Sequence, residues 1–288
     1  SAVMENEFWH VCTKGLTSGL IFRSREDYVY GMNGVAVYSL KYQVVVLAFC
    51  LMDNHVHFIL RGEEQVCREF IKQYKARLAT LTDVSKADVC VKCIEGGDYL
   101  MRAIGYVLRN PMAAGLGVLP TTYRWSSAGV YFNPERVTPG SALSRGMQTV
   151  GDVGVRKLRS VLRSRYRLPD DYVLTSDGMV CPECYVDWQA VEELFVYPAR
   201  LLYMMSKNDD MEMELTGDIL RKTKYTDAEL HGSVSELCRE MFRCESADGL
   251  SVENRCRLAK ELRKRYGLGA KQLARLSGAS YEVLKILL

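Results

Sequence analysis

Two histidines one residue apart, His55 and His57, form the pattern in this chain with the clearest chemical meaning. They follow the turn residues Asp53 and Asn54 inside the apolar run 49–60. Side chains at i and i+2 of a strand project from the same face, so the two imidazoles make one paired nitrogen site. Because imidazole is the commonest metal ligand in proteins, the pattern predicts a divalent metal site. The alternative is a pair of core histidines that are hydrogen-bonded to carbonyl groups.

A second informative stretch, residues 98–111, predicts a helix. Asp98 is a suitable N-cap, and Pro111 is predicted to end the helix. Its predicted buried stripe consists of Met101, Ile104 and Leu108. Tyr106 falls on the opposite face, and Asn110 follows it by one turn on that same face. A half-exposed helix tyrosine followed by a C-terminal asparagine is the bland alternative.

The two stretches together resemble the HUH single-tyrosine transposases, in particular the REP-associated tyrosine transposases. The matching sequences are His-Val-His after Leu-Met-Asp-Asn, and Tyr-Val-Leu-Arg-Asn-Pro from Tyr106 onwards. Further matching elements are His10-Val-Cys-Thr-Lys-Gly15, Ile21-Phe22, Asp27-Tyr28, Phe70-Ile-Lys-Gln-Tyr-Lys75 and Tyr123-Arg-Trp-Ser-Ser127. The resemblance covers about residues 8–131, and its motifs occur in order.

This resemblance implies a chemistry for the residues singled out above. Tyr106 would attack a phosphodiester of single-stranded hairpin DNA and form a phosphotyrosine bond. His55, His57 and the amide oxygen of Asn110 would bind Mg²⁺ or Mn²⁺. Since free tyrosine has a pKa near 10, the phenol needs a nearby positive charge to react at neutral pH.

The chain departs from the family pattern at two places. Family members usually carry a longer stretch, with a Trp and a Gly-Arg-Phe or Gly-Arg-Tyr element, where only residues 83–97 stand here. In addition, Ala113 replaces a basic residue before Ala-Gly. The first departure concerns the grip on the DNA hairpin, and the second removes one predicted backbone contact.

Hydrophobic periodicity predicts the fold of the first part of the chain. Predicted strands cover 8–13, 43–51, 55–61 and 89–94, and predicted helices cover 25–40, 64–82 and 98–111. The order β-α-β-β-α-β-α predicts an α+β fold with a ferredoxin-like (RRM-like) antiparallel sheet. The family resemblance implies the same fold.

The remaining chain is predicted to be all-α. The predicted organisation is a catalytic domain over 1–132, a linker over 133–154, a basic helix (155–167) with a helical module over 155–232, and a module resembling a helix-turn-helix over 233–288. The clearest helix of the middle module is predicted over 186–205. Cys181 and Cys184 have zinc-like spacing, but a lone CxxC is a weak signal.

Charge is distributed unevenly along the chain, and this suggests where DNA would bind. The net charge is +2 over 1–130, +6 over 131–168, −9 over 169–232 and +4 over 233–288. The two basic segments suit phosphate contacts, whereas solvated helix faces are the alternative. The candidate DNA-binding residues are Lys14, Arg23, Lys72, Lys75, Arg109, Lys157, Arg159, Arg163, Lys271, Tyr281 and Lys285.

The composition argues against a membrane or secreted protein. The chain has no apolar run of about 18 residues and no signal-peptide pattern. Its ten cysteines are scattered, which favours reduced thiols. We therefore expect a bacterial cytoplasmic protein that associates with the nucleoid. The sequence leaves open whether it is a monomer or a homodimer.

Three hypotheses of different classes follow. The first is a single-stranded DNA endonuclease and strand-transferase. The second is a host-retained DNA-binding protein whose cleavage site is weak or silent. The third is an unrelated metalloenzyme, which would need a third imidazole or a carboxylate near His55 and His57. The other histidines, His10 and His231, are predicted to be ordinary polar residues, although His10 in the first strand could lie close.

Overall fold

The computed structural model describes residues 7–13, 20–82, 84, 88–113, 120–206 and 225–287. The candidate residue Lys14 lies outside these ranges. Within them the chain is α+β, with one four-stranded antiparallel sheet near the N-terminus and helices over most of the rest. Among these residues no helix is both long and apolar enough to cross a membrane. All ten cysteines are free thiols.

The four strands alternate in the chain with the helices that cover the sheet. The elements are β1 (Phe8–Thr13), α1 (Arg25–Lys41), β2 (Val45–Leu51), β3 (Val56–Arg61), α2 (Glu64–Leu78), β4 (Val89–Ile94) and α3 (Gly97–Ala113). The strand order is β2-β3-β1-β4, and every neighbouring pair is antiparallel. The predicted bounds of β1 and β4 match. β2 and β3 start later than predicted, so His55 precedes its strand, and α2 ends before Thr82.

Alternation along β3 sends successive side chains to opposite faces of the sheet. Phe58 packs on α2, with its ring centroid 5.2 Å from those of Phe70 and Tyr74. The Tyr74 hydroxyl in turn donates to the Gly31 carbonyl of α1 at 2.9 Å. The preceding residue, His57, faces α3 instead. The sheet is therefore covered by α1 and α2 on one face and by α3 on the other.

Helix α3 is buried on both of its sides, contrary to the predicted two-faced pattern. Residues 103–109 are all buried, and Tyr106 is only 7% exposed. The sheet covers one side, and a later helix, α7 (Pro198–Ser206), covers the other. A Cβ added to Gly105 would lie 2.8 Å from the Met204 backbone, so the absence of a side chain permits this close approach.

The central part of the chain is built of short elements that pack on the same core. They are α4 (Pro139–Ala142), β5 (Gln148–Thr149), α5 (Val155–Leu162), β6 (Val173–Leu174), α6 (Trp188–Phe195) and α7. The predicted linker 133–154 thus contains α4 and β5. The predicted basic helix ends at Leu162, where Arg163 adopts a left-handed φ of 48°. The helix predicted over 186–205 is two helices, because the chain turns at Val196 (φ 71°) before Pro198.

The C-terminal helices have a hydrophobic core of their own. They are α8 (Asp227–Phe242), α9 (Val252–Tyr266), α10 (Ala270–Ser277) and α11 (Tyr281–Leu287). Leu230, Leu258, Leu273 and Leu284 from the four helices are fully buried together. The breaks predicted at 267–269 and 278–280 separate α9, α10 and α11, and Gly278 ends α10 in a left-handed conformation with a φ of 71°.

Candidate functional site

Tyr106 of α3 lies against His57 of β3. Their ring centroids are 5.7 Å apart, and the ring planes meet at 89°. The two rings are therefore perpendicular to each other. His55 lies beside His57, with ring centroids 4.9 Å apart. The structure thus brings together the tyrosine and the two histidines that the sequence singled out.

The orientation of His55 is set by Asn54. Nδ1 of His55 lies 2.7 Å from the amide oxygen of Asn54. The amide nitrogen of Asn54 donates to the carbonyl of Arg265 near the end of α9, which fixes which end of the amide faces His55. Nδ1 of His55 must then carry the proton, since it donates to an oxygen. Nε2 is left with its lone pair free, which is the form that can bind a metal.

Asn110 lies close to His55, and its side chain also explains how Pro111 can stand inside α3. The sequence predicted that the helix ends at Pro111, but it continues to Ala113. Proline has no N–H to donate to the carbonyl four residues earlier, that of Val107. The Asn110 amide nitrogen donates to this carbonyl at 3.2 Å, and to the Tyr106 carbonyl at 3.2 Å. Its amide oxygen is left to face His55, where a hydrogen bond that only the protonated imidazole can donate raises the pKa of His55.

The buried imidazoles are held in their neutral form. Burial lowers the pKa of His55 to about 4, and Asn110 opposes this shift only partly. Burial, with the positive charge of Lys92, lowers the pKa of His10 to about 4. The pKa of His57 is well below its usual value, because of burial first and the neighbouring imidazoles second. At neutral pH these rings therefore carry lone pairs that can accept a proton or bind a metal ion.

The His10 side chain was missed by the sequence analysis as a member of the site. Its Nε2 lies 3.0 Å from Nδ1 of His57, and the two rings stack with centroids 5.3 Å apart. Together with Cys12, these histidines form a group that could hold a metal ion, since one donor atom from each lies within 4.8 Å of the others. His10 was predicted to be an ordinary polar residue that could lie close to the pair, and the structure confirms the close position. The only signal in the sequence was its position in a strand that could pair with β3.

The predicted DNA-binding residue Arg109 has a different environment from the one expected. It is buried, with its guanidinium carbon 5.9 Å from the ring centroid of Tyr106. It does not lie on an open surface, because α3 is covered on both sides. Its charge lies instead beside the phenol, where the sequence analysis required a positive group.

The other candidate DNA-binding residues lie on several separate surfaces. Exposed positions are occupied by Arg23, Lys72, Lys157, Arg159, Arg163, Lys271 and Lys285. Lys75 and Tyr281 are partly exposed. Some of these charges already have partners: Lys72 lies 3.8 Å from Glu69, and Lys285 lies 3.7 Å from Glu282. Arg163 stacks on Tyr30, with 4.3 Å from its guanidinium carbon to the ring centroid.

The motif around Trp125 packs beside the candidate site. The Trp125 ring stacks on Tyr28, and Tyr28 stacks on Phe22, each pair with centroids 4.8 Å apart. The Trp125 carbonyl accepts the Leu51 N–H at 2.8 Å, which extends the edge of β2. Three of the quoted motifs, separated in sequence, thus support the strand that leads to His55.

Comparison with known proteins gives no assignment for this chain. No protein-family model, curated protein or solved structure matches it. The geometry of Tyr106, His55, His57 and Asn110 is therefore the basis for assigning a function.

Proposed function

We propose that this protein is a metal-dependent endonuclease and strand-transferase of single-stranded hairpin DNA, with Tyr106 as its nucleophile. The observation that carries the proposal is the convergence of a phenol, two imidazoles and an amide from β3 and α3. Such a set combines a nucleophile with nitrogen and oxygen donors for a divalent ion. The proposal includes the ferredoxin-like (RRM-like) fold, which is supported by the order β-α-β-β-α-β and the antiparallel sheet.

The donor set fits Mg²⁺ or Mn²⁺ at the point where the side chains converge. Nε2 of His55 has its lone pair free, and Asn110 directs its amide oxygen towards His55. Two lone pairs that face each other repel unless a cation lies between them. His57 would supply the third donor. A bound divalent ion would neutralise the non-bridging oxygens of the scissile phosphate and stabilise the leaving oxygen.

The residues of this chain would carry out the transfer in two steps. In the first, the Tyr106 oxygen forms a bond to phosphorus and loses its proton to solvent, while the bond from phosphorus to the 3′ oxygen breaks. The 3′ oxygen takes up a proton and leaves as a hydroxyl. The Arg109 guanidinium carbon lies 5.9 Å from the centroid of the Tyr106 ring, so this residue would supply a positive charge close to the reacting groups. In the second step, a 3′ hydroxyl of another strand displaces the tyrosine, so no nucleotide cofactor is needed.

DNA binding is proposed for two exposed basic surfaces. One is the face of α5 that carries Lys157 and Arg159. The other is the pair α10 and α11, which we propose is a helix-turn-helix with Lys271, Tyr281 and Lys285 on it. Both would bind phosphate through charge and so weaken with salt. A bacterial cytoplasmic, nucleoid-associated location is part of the same proposal.

A specific observation favours the second hypothesis, a DNA-binding protein with a silent site. Tyr106 is only 7% exposed, so a phosphate can reach its oxygen only if neighbouring residues move. An intact tyrosine that stays covered would leave DNA bound and uncut. The two hypotheses therefore differ in whether DNA becomes covalently attached.

The test is to incubate the full chain with end-labelled single-stranded hairpin DNA and Mn²⁺, followed by denaturing electrophoresis. The first hypothesis predicts a labelled protein adduct that is lost in Tyr106→Phe and kept in the control Tyr99→Phe, which alters another tyrosine of α3. DNA binding without an adduct supports the silent-site hypothesis. If the DNA is neither bound nor attached, both DNA hypotheses are rejected and the third, the metalloenzyme, is supported. That hypothesis requires another imidazole near the pair, and His10 provides one.

A further inference from the structure

His10, Cys12 and His57 form a compact donor cluster on the face of the sheet that α3 covers. His10 and Cys12 lie two residues apart in β1 and share a face. Cys12 is directly opposite His57 in the pairing of β1 with β3. The three side chains belong to residues that are 0%, 2% and 5% exposed, respectively. The strand pairing therefore brings together a thiol and two imidazoles, three buried groups that can bind metals.

A second, independent feature marks this cluster as unsatisfied. Within the described part of the chain, Nδ1 of His10 is buried and has no hydrogen-bond partner. A buried polar atom without a partner destabilises the folded state. The ring of His10 is thus held at the cluster with only one of its two nitrogens in use. Because Nε2 is the nitrogen that faces His57, an ion held between the two rings would bind Nε2 and keep the ring proton on Nδ1.

We propose that His10, Cys12 and His57 bind Zn²⁺, and that this ion excludes Mg²⁺ or Mn²⁺ from the neighbouring site. A thiolate with two imidazoles selects thiophilic ions, whereas Mg²⁺ and Mn²⁺ prefer oxygen donors. Zinc bonds of about 2.0–2.3 Å place donors roughly 3.3–3.7 Å apart. The donors here are separated by 3.0 Å between the ring nitrogens and by at most 4.8 Å overall, so small side-chain shifts suffice.

The position of the ring proton on His57 explains why zinc would exclude Mg²⁺ or Mn²⁺ from the neighbouring site. The nitrogen of His57 that faces His10 is Nδ1. When Nδ1 binds zinc, the ring proton must lie on Nε2, because a neutral imidazole has one proton for two nitrogens. His57 then has no lone pair left for the ion at His55 and Asn110. Cys12 releases its thiol proton to solvent as it binds, and its negative charge offsets the nearby charge of Lys92.

The fourth zinc position would lie towards Tyr106. The ring centroid of Tyr106 is 5.9 Å from that of His10 and 5.7 Å from that of His57. A three-coordinate protein site with one open position is the arrangement that leaves zinc able to bind another group. Zinc would therefore act as an inhibitor at the nucleophile. The exclusion and the inhibition rest on the proposed function, whereas the binding of zinc does not.

The test of binding uses Co²⁺ as a spectroscopic probe of the metal-free full chain. Cobalt bound by a thiolate gives a sulfur-to-metal charge-transfer band in the near ultraviolet. We expect the band in the unmodified protein and in Cys67→Ser, which removes a fully buried thiol of α2 on the opposite face of the sheet. We expect Cys12→Ser to abolish the band and His10→Gln to keep it while weakening affinity on the order of 100-fold. Circular dichroism of each variant checks that it is folded.

Exclusion is measured separately, as the release of protein-bound Mn²⁺ on addition of Zn²⁺, followed by electron paramagnetic resonance. Release from the unmodified protein but not from folded Cys12→Ser supports the proposal. Absence of the cobalt band, or its persistence in Cys12→Ser, overturns it. A cobalt band with Mn²⁺ retained in the presence of Zn²⁺ overturns the exclusion. Both readouts are independent of DNA cleavage, so failure to form an adduct affects only the proposed function.

Discussion

The amide oxygen of Asn54 lies 2.7 Å from Nδ1 of His55, and the same amide is anchored by the Arg265 carbonyl of α9. The C-terminal helices therefore reach the candidate metal site through one hydrogen-bonded side chain. Because the amide cannot rotate without losing the Arg265 contact, it fixes the His55 tautomer. A candidate metal ligand directly before β3 is thus oriented by a helix more than two hundred residues later.

Removal of this orienting amide should weaken metal binding. We predict that Asn54→Ala lowers Mn²⁺ affinity by about 10–100-fold, the usual effect of losing a partner behind a histidine ligand. Isothermal titration with Mn²⁺ measures the change. The control is Asn133→Ala, whose amide donates to the Gly129 carbonyl. Equal affinities for the two variants would contradict a role for Asn54 in orienting His55.

A side chain at Gly105 should disrupt the close packing of α3 against α7. We predict that Gly105→Ala destabilises the fold by about 1–3 kcal/mol, because its Cβ would lie 2.8 Å from the Met204 backbone. The matched control is Gly232→Ala in α8, where no atom lies within 4 Å of the added Cβ. That change should stabilise by up to about 1 kcal/mol. Urea unfolding gives both values, and a stabilising Gly105→Ala would show that α7 does not pack closely on α3.

Asp177 should make stability depend on acid pH. Its carboxylate accepts two hydrogen bonds from Arg124, each of 2.7 Å, and one from Arg25 at 2.9 Å. Hydrogen bonding to Arg124 holds the pKa of Asp177 well below its usual range. The stabilisation is therefore complete above the unfolded-state pKa near 3.9, and is lost as the pH falls towards the folded-state pKa.

The measurement is urea unfolding of Asp177→Asn between pH 7 and pH 3. We predict a loss of about 1–2 kcal/mol at pH 7, because the Arg124 pair is bidentate, and a smaller loss at pH 3. Asp170→Asn is the control, since its pair with Arg167 is largely exposed and should contribute below about 0.5 kcal/mol. A loss at Asp177 that does not change with pH would reject the ion-pair explanation.

Local sequence patterns predicted the features that depend only on residues close together in the chain. The bounds of β1 and β4 and the breaks around α10 followed from residue types within a few positions, and so did the placement of Asn110 one turn after Tyr106. The continuation of α3 through Pro111 was missed because it depends on a side-chain amide that replaces the absent N–H. Helix propensity assigns a penalty to proline alone and takes no account of a neighbouring side chain such as that of Asn110.

Contacts between distant segments were the part that the sequence could not supply. His10 meets His57 only because β1 and β3 pair in a particular register, 47 residues apart in the chain. The burial of Tyr106 likewise depends on the sheet, because its ring lies against His10 of β1 and His57 of β3. Neither effect leaves a periodic signal near the residues concerned. The resemblance to a family directed attention to Tyr106, His55 and His57 but not to Cys12.

The residue of this chain that becomes attached to DNA can be identified by mass spectrometry. The full chain is reacted with hairpin DNA and Mn²⁺, digested with nuclease and protease, and analysed by tandem mass spectrometry. The account predicts a nucleotide joined through phosphate to the oxygen of Tyr106, with no such adduct after His57→Ala. A phosphate-linked nucleotide on another tyrosine, or uncut DNA bound by protein whose Tyr106 peptide is unmodified, would contradict it.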